Sequence, residues 1–323
     1  MPQRLTEKQI QEIEDAINSG MSFRQIAKQI LGRESRKSTV SDLAKRLTSQ
    51  GYTSAGLDGE NKPKIAVIDI ETSMEKVYSF RRFKAFISPE QVIERAYILS
   101  YSAVFLDSPK VISRNLTDFE LFKSDISDDY ELVKDIWHFL NAVDVIIAHN
   151  GVKFDQAYIN QRFAYHGFAP PSPYKVVDTL KAVKKVFALP SNALKEACLY
   201  FETENFKLDN SGVSLWIRCM NGDVSAFEEM QEYNDGDVVS LKDLYLKLLA
   251  WIPQHPNVSA YYEDNEVRCP RCGSTDIEVS ETDAVHTQVS SFQLISCNNC
   301  GGHSRGRVNL RSKEKRNSTI IPV

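Results

Sequence analysis

No apolar run among the 323 residues approaches the ~18 that a helix needs to cross a bilayer. A helical membrane protein is therefore not expected, nor a membrane partner. Nor does the N-terminus resemble a secretory signal. The N-terminus carries Arg4, Glu7, Lys8, Glu12 and Glu14 where such a signal would be apolar. Cysteine is scarce, with Cys198, Cys219, Cys269, Cys272, Cys297 and Cys300 the only six. Four fall in two close pairs and two stand alone in apolar or helical surroundings. That arrangement suits metal binding in a reducing cytoplasm better than a disulfide scaffold. What remains is ordinary for a globular chain of about two domains, with 42% hydrophobic and 25% charged residues.

The net charge of −4 conceals an asymmetry. Lys and Arg outnumber Asp and Glu by nine to six in residues 1–50 and by six to one in residues 303–323. Basic ends on an acidic centre suit a protein whose ends touch phosphates and whose centre holds cations.

The acidic centre has a focus in Lys64-Ile-Ala-Val-Ile-Asp-Ile-Glu-Thr72. The β-branched run predicts a buried strand that carries Asp69 and Glu71 at its C-terminal end. Side chains two apart on a strand share a face, so these acids project side by side. Adjacent carboxylates repel, and a bound divalent cation is the usual remedy. Further strands are expected around 77–83, 97–106 and 111–114. A helix follows from Asp128 to about Asn141 with Leu132, Val133, Ile136, Phe139 and Leu140 inward, then a strand over 144–149. The turn Asn150-Gly151 leads to a helix over about 155–166. A short strand ends at Asp178, and helices continue to Trp251. Three strands followed by alternating helix and strand predict an α/β fold, a mixed sheet with helices on both faces.

Asp155 sits just beyond a strand end, where loops of α/β sheets build sites. Taken alone it reads as a helix N-cap, as does Asp178. Tyr233 and Asp237 are four apart and stack on one helix face, whereas Asp235 points elsewhere.

In order and context, D-I-E at 69–71, H-N-G-x-x-F-D at 149–155 and Y-x-x-x-D at 233–237 resemble the motifs of the DEDD 3′→5′ exonuclease superfamily. The tyrosine places the resemblance with its DEDDy branch, similar to the proofreading domain of family A and B DNA polymerases. It covers about residues 63–250 and implies an RNase H-like fold. It also implies that Asp69, Glu71, Asp155 and Asp237 hold two Mg²⁺ or Mn²⁺ ions and that Tyr233 assists the water. Two such ions would activate a water and support the leaving 3′ oxygen. With an ordinary pKa of ~10, Tyr233 would orient the attacking water by hydrogen bonding rather than act as a base. Asn150 and Phe154 are candidates for touching the nucleic acid.

On either side lie two smaller modules. Residues 1–50 read as three short helices. Gly20 to Ile30 resembles a helix-turn-helix, with Arg36, Lys37, Ser38 and Thr39 toward DNA. A protein-interaction module is the alternative. Residues 51–62 read as a linker, leaving 63–252 for the catalytic domain. Cys269-Pro-Arg-Cys-Gly273 and Cys297-Asn-Asn-Cys-Gly301 form two knuckles whose four thiolates favour one structural Zn²⁺. With a hairpin between them, residues 265–310 look like a zinc ribbon. Arg305 and Arg307 are its nucleic-acid candidates, and residues 311–323 a basic tail.

The expected activity is 3′→5′ exonucleolytic hydrolysis of single-stranded nucleic acid, DNA before RNA, from 3′ ends. Replication or repair proteins are the natural partners. The rivals are a non-catalytic nucleic-acid-binding scaffold and a structure-selective endonuclease.

Overall fold

The computed structural model describes residues 62–205 and 212–322, together with 8, 9, 12, 13, 16, 21 and 23–32. Arg36, Lys37, Ser38, Thr39, the third N-terminal helix and the linker up to residue 61 lie outside the described residues. Of the N-terminal module, helix α1 spans Phe23–Leu31. Its Ile26 and Ala27 are fully buried in the same core cluster as the central sheet.

The centre is a five-stranded sheet in the order β5-β4-β1-β6-β7. The strands are β1 (Ile65–Thr72), β4 (Ile98–Phe105), β5 (Val111–Asn115), β6 (Val145–Ala148) and β7 (Lys175–Asp178). β5, β4 and β1 run antiparallel, whereas β1, β6 and β7 are parallel. The predicted strand over 77–83 is only Lys76–Val77 (β2), paired with Val92–Glu94 (β3). Among the described residues no strand lies alongside residues 79–83, so the alternation of large side chains there has no sheet to enter.

Strand parity divides the core in two. Ala66, Ile68 and Ile70 of β1 face one cluster with Tyr101, Ile136, Trp137 and Phe163. Val67 faces the other with Val104, Val145, Ile147 and Val177. The first layer includes α2 (Tyr130–Ala142) and α3 (Asp155–Tyr165). All five residues expected inward on α2 are buried. The second layer holds α4 (Thr179–Val186), α5 (Leu194–Tyr200) and most of the long helix α7 (Val224–Leu248), which follows α6 (Val213–Met220).

Helix α7 buries Phe227, Met230, Asn234, Asp237, Leu241, Leu244 and Leu248, a stripe at helical spacing. Lys242 fastens it to the end of β4 by donating to the carbonyls of Phe105 and Ser108 at 2.9 and 2.8 Å. Asp235 accepts from Ser113 at 2.6 Å and from Ser102, which tie the helix to β5 and β4. Asp235 does point away from Asp237, and its role is to hold the helix in place.

The C-terminal unit is a three-stranded sheet in the order β10-β9-β8. Its strands are β8 (Ile277–His286), β9 (Ser291–Cys297) and β10 (His303–Asn309). A hairpin lies between the two knuckles, as expected, but its first strand runs on to His286 and its turn falls at 287–290; β10 adds a third strand that contains Arg305 and Arg307. Beyond it the basic tail forms a short helix, α8 (Lys313–Asn317), capped by Ser312.

A buried ion pair joins the first layer to the sheet. Asp129 is fully buried and receives Arg162 Nε at 2.8 Å, His166 Nε2 at 2.6 Å and the Ile98 N–H at 2.9 Å. Burial alone would raise its pKa, but these bonds outweigh it and hold the carboxyl below the usual range. Asp129→Ala should cost about 3–5 kcal/mol in denaturant unfolding, because it strands the Arg162 charge. For a depressed pKa the stabilisation is present above the unfolded value of ~3.9 and lost as pH falls through the folded one. The stability gap between the parent and Asp129→Asn should therefore narrow below about pH 4.

Candidate metal and active site

The parity that sends Val67 toward α7 sends Asp69 and Glu71 the same way. There the stripe of α7 turns polar, with Asn234 and Asp237 in place of apolar residues. The carboxylates of Asp69, Glu71 and Asp237 offer oxygens that all lie within 4.8 Å of one another. Octahedral Mg²⁺ with oxygens at 2.0–2.1 Å spans about 2.9–4.2 Å between ligand atoms, so the group fits a hard divalent cation. Asp237 is buried and the other two acids are half-buried, which intensifies their repulsion relative to water.

Asn234 is a site residue that sequence reading missed. Its side-chain amide donates to Asp69 Oδ2 at 2.8 Å, and the residue is fully buried. A neutral donor fixes the acid without cancelling its charge. The signal was available, because Asn234 falls on the apolar stripe of α7, where an amide needs a partner.

Asp155 lies beside this group rather than within the three. β1 pairs with β6 only from Ile65 to Val67, so its last residues run on past the end of β6. Asp155 fills that gap, and its Oδ1 accepts the Ile70 N–H at 3.2 Å. The residue between the two strand acids is thus bonded to the third motif acid. The N-cap reading of Asp155 does not hold, since Phe154 occupies that position and Asp155 opens α3. Burial pushes the Asp155 carboxyl up to about 7. Its own amide and that of Ile70 oppose the shift, and the nearby Asp178 adds to it. A cation bound close by would restore the ionised form.

The loop before α3 is fixed from below. Asp178 caps α4 through the Lys181 N–H, as expected, and also accepts the N–H groups of Asn150 and Val152. Asn150 takes a left-handed φ of 71°. His149 bridges Thr179 and the Asn192 carbonyl, each at 2.9 Å, which makes it a brace and not a ligand. Gly151 is required by space, because a Cβ there would stand 2.3 Å from that of Ala148. Phe154 is part-exposed and packs on Tyr158. Tyr233, one turn before Asp237, is half-buried with its ring edge-on to Trp216 at 6.4 Å between centroids.

The second group that could hold a metal is Cys269, Cys272, Cys297 and Cys300. Sγ atoms of Cys269 and Cys300 are 3.6 Å apart, as are those of Cys272 and Cys297. Tetrahedral zinc with Zn–S near 2.3 Å separates its sulfurs by about 3.75 Å, so the set fits. Gly273 and Gly301, at φ 75° and 71°, donate back to the carbonyls of Cys269 and Cys297, which closes each knuckle. Cys272 and Cys300 pack against the core cluster of α7. Tyr245 of α7 donates to His255 at 2.8 Å beneath them, the His255 Nδ1–H being directed at the Pro256 carbonyl.

Gly151→Ala should destabilise the protein by about 1–3 kcal/mol in thermal unfolding and weaken Mn²⁺ binding, by displacing the loop that carries Asp155. Adding Ala148→Gly should restore both. Failure of that second change to rescue would mean that the contact does not set the loop.

No curated protein matches the chain. A solved structure, the family B DNA polymerase from the hyperthermophilic archaeon Pyrobaculum calidifontis, aligns over 59% of this chain at 14% identity with a TM-score of 0.38. The alignment covers 26% of that polymerase, about a quarter of its length. The family model of the RNase H superfamily matches residues 103–249, from β4 through the end of α7, and the five-stranded mixed sheet flanked by helices has the RNase H-like fold.

Proposed function

We propose that this chain is a metal-dependent nuclease that shortens single-stranded nucleic acid from its 3′ end, with DNA preferred to RNA. The observation that carries the reading is the convergence of Asp69, Glu71 and Asp237 within 4.8 Å of one another, at the end of the central strand of an RNase H-like sheet. Asp155, hydrogen-bonded to the strand residue between two of these acids, completes the set. These four would hold two Mg²⁺ or Mn²⁺ ions, which when bound supply Lewis acidity to the water and to the leaving oxygen.

The protein's own part is positional. Asn234 orients Asp69, and Asp155 is poised near neutrality, so its charge state responds to a cation. Tyr233 orients the attacking water by hydrogen bonding rather than by taking its proton. The four-cysteine unit holds one Zn²⁺ with no open coordination position, so it is structural. With Arg305 and Arg307 on its third strand, it grips the nucleic acid away from the chemistry.

The deciding test is digestion of 5′-labelled single-stranded DNA and RNA with Mg²⁺, Mn²⁺ or chelator. Stepwise 3′ shortening is expected, reduced by at least about 10³-fold in Asp69→Ala and Asp237→Ala. Tyr233→Phe should lower kcat by about 10²-fold with KM little changed. Internal cuts would replace the reading by an endonuclease, and binding without cleavage under every ion by a scaffold. Independently of activity, Mn²⁺ at 100 times its Kd should stabilise the parent by about 2.7 kcal/mol and Asp237→Ala far less. Cys300→Ser should lose one equivalent of zinc by elemental analysis and lower the thermal midpoint.

A further inference from the structure

Between β1 and β4 the chain makes an excursion that the acid site does not use. It leaves the sheet at the C-terminal end of β1, the end that carries Asp69 and Glu71, because β1 and β4 are antiparallel neighbours. Its stem is clamped at successive levels. Ser73 and Tyr97 exchange hydrogen bonds at 2.8 and 2.9 Å, Lys76 pairs with Glu94 at 2.7 Å, and Tyr78 and Gln91 bond in both directions. Above the stem the tip reads Tyr78-Ser-Phe-Arg-Arg-Phe-Lys-Ala-Phe86.

That tip holds four aromatic rings in nine residues, and all stand in solvent. Tyr78 is 72% exposed, Phe80 101%, Phe83 86% and Phe86 88%. Single exposed apolar residues are ordinary, but four clustered rings on a clamped stem are a surface built to be covered. Arg81, Arg82 and Lys84 are interleaved with the rings, and no acid occurs between Glu75 and Glu90. The tip is therefore cationic on a chain whose net charge is −4.

We propose that the tip at residues 78–86 is a binding platform for a single nucleic-acid strand, its rings stacking on bases and its cations neutralising phosphates. Rings and cations in alternation match the alternation of base and phosphate along a strand. Paired and stacked bases of a duplex would leave the rings nothing to stack on, which selects a single strand. Tyr78 lies seven positions after Glu71, a reach of no more than about 25 Å, so a bound strand could extend from the tip to the acids. The inference rests on the nuclease reading for its direction but not for the binding itself.

The test uses the full chain carrying Asp69→Ala, so that binding is read without cleavage. Fluorescence anisotropy with oligo(dT) and oligo(rU) should show affinity reduced at least tenfold by Phe80→Ala with Phe83→Ala. Phe80→Tyr with Phe83→Tyr should retain it. Arg81→Ala with Arg82→Ala should weaken binding and lower the slope of log K against log salt by about 1.4. These side chains are exposed, and unchanged circular dichroism would exclude misfolding. Affinity within twofold of the parent, with unchanged salt slope, would overturn the platform even if the nuclease reading stood. So would loss of binding to anionic phospholipid vesicles with oligonucleotide binding intact. Loss of oligonucleotide binding in the variants, together with no cleavage of any substrate by the chain that retains Asp69, would keep the platform and remove the nuclease.

Discussion

Mutual repulsion among carboxylates is the constraint around which this fold is arranged. Asp69, Glu71 and Asp237 would separate if they were free, yet two elements far apart in sequence hold them together. Strand β1 cannot yield, because it is the middle strand of the sheet, with β4 on one side and β6 on the other. Helix α7 cannot yield either, because apolar burial on both sides of the polar positions clamps it, and Lys242 and Asp235 tie it to β4 and β5. The hydrophobic contribution of that stripe, about 1.5–3 kcal/mol for each fully buried large side chain, is what opposes the repulsion. A bound cation would relieve it, and would thereby couple ion binding to stability.

Much of this was legible in the sequence because it depends on periodicity. A β-branched run followed by acids two apart fixes which face they share, whatever the rest of the chain does. Tyr233 and Asp237 at helical spacing behave likewise. The cysteine knuckles are local and need only Gly273 and Gly301 to turn. Asp155 enters the candidate set by resemblance alone, and its local reading as a cap does not hold, since its partner is the distant amide of Ile70. That amide is available only because β6 ends before β1 does, a matter of tertiary register that no local pattern records.

The remaining differences have the same origin. Residues 77–83 read as a strand because large side chains alternate there, but alternation places side chains only when a neighbouring strand exists. Asn234 was passed over because a polar residue on a helix looks solvated until the stripe is phased across the whole of α7. The third ribbon strand was hidden by Gly306 and its flanking arginines, which carry little apolar signal. The residues expected to face DNA in the N-terminal module lie outside the described residues, while Ile26 and Ala27 of its second helix bury against the core.

Helix α7 also works as a ruler. Asp237 meets the strand acids near its middle, and eight residues later Tyr245 meets His255 under the cysteine knuckles. At 1.5 Å per residue these fixtures stand about 12 Å apart along one rod. Each residue also turns the rod by about 100°, so inserting or deleting a single position between them would swing one fixture off its face. The segment 238–244 thus fixes both the separation of the two fixtures and the angle between them.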